Sequence, residues 1–226
     1  MWNQLKKVIA MNKGDFILIL SLTAGIFLVL QFVIAVVMVV LKPGEGVRIS
    51  GPSMVFASTI LMLVLTLAAL LVNYPQALQF GCTRRRGLLL QAGLLGAQYL
   101  ATVPLVAAAL LFELHLAPTL WKTMTGRSED LEFFLDGLTL PWWLVLAAPL
   151  GGIALGLIVS AVIHRFGRVG GWTLYGVWMV FMLGQSFLPW KEHWWTAPWL
   201  YPAVWVLVLA ALAWSVRTLL RVTIKA

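Results

Sequence analysis

Cysteine is nearly missing from this 226-residue chain. Cys82 stands alone, which excludes an internal disulfide and a thiolate metal cluster. Acidic residues are scarce as well: eight, against sixteen lysines and arginines, leave a formal net charge of +8, and charged residues make up only 11% of the total. A water-soluble domain of this size cannot hide a 62% hydrophobic composition behind so little charge, so lipid is the natural solvent for most of the chain. Catalytic signatures are missing too. There is no G-x-S-x-G, no H-E-x-x-H, no pair of carboxylates at catalytic spacing and no Walker A phosphate loop. His115, His164 and His193 belong to three different segments, so neither catalytic nor metal-binding residues are expected and no cofactor is held by this chain.

What the sequence does have is apolar length. Crossing the hydrocarbon core takes about 20 residues. Six runs approach or exceed this: 16–41, 55–72, 88–112, 142–163, 172–188 and 199–216. The first is too long for a signal peptide and lacks a small-residue cleavage site after it. The expected fold is therefore all-α, a polytopic membrane protein with six transmembrane helices forming one domain over 1–226. Ionisable residues are effectively absent from the spans, with Glu113 and His115 at the outer end of the third. That speaks against a proton relay.

The charges follow the positive-inside pattern. With the N-terminus inside, eleven of the sixteen basic residues are cytoplasmic, including Lys6, Lys7, Lys13, Arg84, Arg85, Arg86, Arg165 and Arg168. Seven of the eight acids face outward, and Asp15 alone lies inside. Such a division is a topology signal and not a nucleic-acid footprint. Trp121, Trp142, Trp143, Trp190, Trp194, Trp195 and Trp199 fall at the expected outer interface, where indole rings prefer the headgroup level. Both termini are thus expected in the cytoplasm.

Residues 1–15 place Trp2, Leu5, Val8 and Ile9 on one helical face, with Asn3, Gln4, Lys6 and Lys7 on the other. This is the pattern of an interfacial amphipathic helix at the inner leaflet, serving either as a float or as a contact for a partner. An outer loop over 116–140 carries Leu131, Phe134, Leu135 and Leu138 at helical spacing, which predicts a short acidic surface helix. Residues 184–199 are too apolar for a free loop and suit either a re-entrant hairpin or a Trp-rich interfacial loop. Gly152 with Gly156, and Gly93 with Ala97, have the spacing that lets two helices approach closely.

The cytoplasmic segment 73–87 is the most informative stretch. Asn73-Tyr74-Pro75 is expected to break the second span, and Gln76–Phe80 has the length of one short helix. Gly81 is placed to end that helix and Thr83 to cap the next. Three arginines follow. As anchors on lipid phosphates they need no further explanation, yet an anchor does not require a helix-and-glycine elbow before it.

A short helix followed by Phe80-Gly81-Cys82-Thr83-Arg84-Arg85 between spans two and three resembles the coupling segment of bacterial ABC type-2 exporter permeases. It is most similar to the small six-span subunits of antibiotic and peptide export or self-immunity. The resemblance extends to the N-terminal interfacial helix, the internal termini and the apolar connection between spans five and six. It implies a permease dimer in membrane lipid with two cassette ATPases as partners, which would bind the ATP and Mg. It also implies that Gln76, Leu78, Phe80, Gly81, Thr83, Arg84 and Arg85 dock on the ATPase, with Leu5 and Lys6 alongside. The expected cargo is amphipathic or hydrophobic. A non-transporting immunity or scaffold protein and a proton-coupled carrier stand as alternatives.

Overall fold

The computed structural model describes residues 10, 12–40, 45–47, 50–125, 132–134, 142–184 and 200–221. The elements are α1 (Lys13–Val40), β1 (Glu45–Val47), α2 (Ser50–Ala68), α3 (Tyr74–Gln79), α4 (Arg84–Leu111), α5 (Ala117–Thr125), β2 (Glu132–Phe134), α6 (Leu144–Gly184) and α7 (Leu200–Leu220). Among the described residues the fold is helical apart from β1 and β2, which pair in parallel with Gly46 opposite Phe133.

Among the described residues four helical stretches are long and apolar enough to cross a membrane: Lys13–Val37, Gly51–Gln79, Arg84–Leu120 and Leu144–Val180. Val206–Leu220 is a shorter apolar helix. Six spans were expected. The fourth and fifth fall together in α6, and the 41-residue length of that helix hides a break. Gly167 has φ 60° and ψ −139°, which no helix contains. A Cβ on Gly170 would lie 2.8 Å from the Val162 carbonyl oxygen, eight residues earlier. In a straight helix eight residues rise about 12 Å, so the chain doubles back at Gly167.

The second expected span does not break at Tyr74-Pro75. It passes through a π turn, Ala69–Asn73, directly into α3. Proline lacks an N–H and its ring crowds the carbonyl four residues back, and the widened turn just before it keeps the helix going. A second π turn, Phe112–Leu116, carries α4 into α5, so the outer loop expected over 116–140 opens as helix. The surface helix expected around Leu131–Leu138 is corrected at Glu132–Phe134, which is extended and paired with β1. Adjacent aromatics favour a pleated strand over a short exposed helix. The rest of that segment, the interfacial helix over 1–9 and the connection 185–199 lie outside the described residues.

Two compact units divide the chain, Met1–Leu65 with Ala92–Ile153 and Thr66–Gln91 with Ala154–Ala226. In the first, Met54, Val55, Val106, Ala109 and Val145 form one buried cluster, and Ile19, Leu61, Met62 and Leu65 another. Phe27 meets Phe112 edge to face at 5.3 Å. In lipid, apolar burial alone gives helices little reason to associate, and close packing and hydrogen bonds take over. Gly152 does this within the unit: a methyl there would collide with the Thr59 carbonyl of α2. The spacing of small residues thus serves internal packing at this position. In the second unit Leu70, Ala161 and Leu219 are buried together, with Leu88, Leu157 and Trp214 against them.

Candidate functional site: the elbow before the three arginines

The elbow belongs wholly to the second unit. Helix α3 ends in a reverse turn whose hydrogen bonds account for its shape. Phe80 N–H donates to the Gln76 carbonyl, Gly81 N–H to Leu78 and Cys82 N–H to Ala77, each at 3.1 Å. The last two are the paired bonds of a Schellman motif, which needs a left-handed residue just past the helix. Gly81 supplies it with φ 83°. Helix α4 then starts at Arg84, and the Thr83 carbonyl accepts the Gly87 N–H at 2.8 Å.

The geometry leaves the turn bare. Phe80 is 89% exposed. Gln76, Gly81, Thr83, Arg84, Arg85 and Arg86 are exposed as well, and Leu78 is half-buried. Among the described residues of this segment, one large apolar ring is held out by a hydrogen-bonded turn and followed by three exposed arginines. An isolated exposed aromatic is common on protein surfaces. Here a fixed turn presents it, which makes it a usable handle. Leu5 and Lys6, expected beside it, lie outside the described residues.

Beneath the turn the elbow is pinned by a residue that the sequence reading used only as a helix breaker. Tyr74 is fully buried, and its hydroxyl donates to the Leu219 carbonyl at 2.9 Å. Leu219 lies in the last turn of α7, where carbonyls have no partner within the helix. Gly87 faces the Tyr74 ring so closely that a Cβ there would lie 3.2 Å from it. His164 adds a second tie, since its Nε2–H donates to the Leu70 carbonyl at 2.8 Å, inside the first π turn. Arg165 stacks its guanidinium 5.7 Å from the Trp214 ring centroid. The elbow thus shares a core with residues 157–165 and with the C-terminal helix.

The first unit holds two carboxylates whose partners were not foreseen. Glu113 is 5% exposed, and its carboxylate accepts the Gly51 N–H. A negative group at this end of α2 satisfies an orphan donor and complements the helix dipole. Asp15 was assigned to the cytoplasmic surface. Its carboxylate accepts from Gln98 Nε2 at 3.1 Å, halfway along the 28-residue α4. Both carboxylates sit at the ends of the expected spans, and what the structure adds is their polar partners. Glu113 was visible at a span end, but no local signal in the sequence marks the Asp15–Gln98 pairing.

Among the described residues no three histidine, cysteine, aspartate or glutamate side chains converge to hold a metal. Comparison with protein-family models, with curated proteins and with solved structures finds no match for this chain.

Proposed function

We propose that this chain is the permease subunit of an ABC exporter of the type-2 class, spanning the bacterial cytoplasmic membrane six times with both termini inside. Two copies assemble with two cassette ATPases, which bind ATP and Mg. Residues 76–86 transmit their movement to the spans, and an amphipathic or hydrophobic cargo is exported. The observation that carries this reading is Phe80, 89% exposed on the Schellman turn ahead of Arg84–Arg86. The Tyr74–Leu219 bond gives the elbow a mechanical link to α7. With no nucleotide motif in the chain, the energy for work comes from a partner.

A second reading, a proton-coupled carrier, draws on the buried Glu113 and on Asp15 against Gln98, because carboxylates among apolar helices often mark proton paths. Co-expression with a cassette ATPase separates the two. The exporter reading expects a complex of two permeases and two ATPases in the native mass spectrum, with transport that stops when ATP is withheld. Transport by the chain alone, driven by a pH gradient, overturns it in favour of the carrier.

A further inference from the structure

Two irregularities bracket one stretch of α4. Pro104 removes a backbone donor inside the helix, and the second π turn begins at Phe112. Widened turns of this kind gather at functional sites. Between the two, Leu105 and Ala108 line a hollow of about 300 Å³ together with Thr23, Ala24 and Phe27 of α1 and Met54 of α2. All of these belong to the first unit. Ala24 and Ala108 are the exposed members of the lining and form its mouth, and Met54, 1% exposed, is its floor. Phe27, edge to face with Phe112, closes one end.

Thr23 is the one polar residue in that lining, and it is 7% exposed. A buried helical serine or threonine ordinarily turns its hydroxyl back onto a carbonyl three or four residues earlier. Ser58, Thr59, Thr102 and Ser215 all do so. Thr23 does not, and its hydroxyl bonds to none of the described residues. A polar group this buried is costly without a partner, and a ligand that brings one relieves it.

The rest of the lining sets the remaining chemistry. None of it is titratable, so a charged ligand would lose its hydration with no counter-ion in return. Two phenyl rings and a thioether favour another ring. The volume is roughly twice that of an apolar cavity, about 150 Å³, that holds one benzene. One ring or two fused rings bearing a single hydroxyl match it.

We propose that this hollow is a binding site for an uncharged phenol or aromatic alcohol, its ring against Phe27, Phe112 and Met54 and its hydroxyl bonded to Thr23. Naming that molecule as cargo rests on the export reading, while the binding does not. The test uses no ATPase, so a failed site and a failed export reading are told apart.

The purified full chain in phosphatidylcholine nanodiscs is photolabelled with a trifluoromethyl-diazirinyl benzyl alcohol and with the matching toluene, which lacks the hydroxyl. Mass spectrometry locates and counts the adducts. The alcohol is expected to label Thr23–Phe27 and Leu105–Phe112 saturably, with an affinity about fivefold above the toluene's, as one hydrogen bond provides. Excess naphthol displaces it. Thr23→Val, which keeps the shape and removes the hydroxyl, abolishes the preference, and Thr23→Ser retains it. Ala24→Leu, which fills the mouth from its exposed side, weakens both probes alike. Equal wild-type affinities, labelling that does not saturate, or an unchanged preference in Thr23→Val overturns the site. So does displacement of both probes alike by oleate, which assigns the hollow to a lipid acyl chain.

Discussion

Tyr74 illustrates how one side chain carries several duties in a protein solvated by lipid. Its ring fills the space left by Gly87, and its hydroxyl satisfies a carbonyl at the end of α7. What these contacts supply is close packing and one hydrogen bond. Tyr74→Phe keeps the ring and removes the bond, at an expected cost of about 1 kcal/mol. A thermal unfolding curve of the purified protein in detergent measures it. A larger loss is expected for Gly87→Leu, which drives a branched side chain into the ring. If the two variants melt alike and at the wild-type temperature, Tyr74 does not pin the elbow.

At the scale of elements, the parts of the fold legible in the sequence are those fixed by local chemistry. The elbow is one. A short helix and a glycine with positive φ are both encoded within Gln76–Gly81 and fold as their types dictate. The π turns were not legible, because a one-residue widening leaves no trace in hydrophobic spacing, and Pro75 reads as a stop when it is a continuation. Likewise Asp15 reads as a solvated charge in the first helical turn, since only the packing of α1 on α4 brings it to Gln98. The Gly167 reversal lies between. The dip in hydropathy from His164 to Arg168 separated spans four and five, but the residue that turns the chain was not singled out. At φ 60° and ψ −139° a side chain is strained by about 1–3 kcal/mol. Gly167→Ala is therefore expected to lower the unfolding midpoint by roughly 2–10 °C, while Gly171→Ala, in open space on the adjoining helix, leaves it nearly unchanged. Equal midpoints for the two variants would remove the strain from Gly167.

At the scale of the whole molecule, the account joins two features that lie in separate units. One is an exposed handle at the elbow, and the other a polar seam among long apolar helices. Under the proposed reading, a chain with no nucleotide motif that presents an exposed aromatic ring to a partner is the membrane half of a driven permease. That ring is the central claim. Truncating a fully exposed ring costs the isolated chain almost nothing, whereas an aromatic anchor seated in a partner's pocket contributes about 2–4 kcal/mol to docking, roughly thirtyfold or more in affinity. The decisive measurement is coupling in proteoliposomes, with the permease and its cassette ATPase reconstituted as wild type and as Phe80→Ala. The variant is predicted to insert and melt like the wild type, to lose co-purification with the ATPase, and to leave ATP hydrolysis unable to drive export. Wild-type co-purification and export by Phe80→Ala would contradict the account and leave Arg84–Arg86 as anchors on the lipid headgroups.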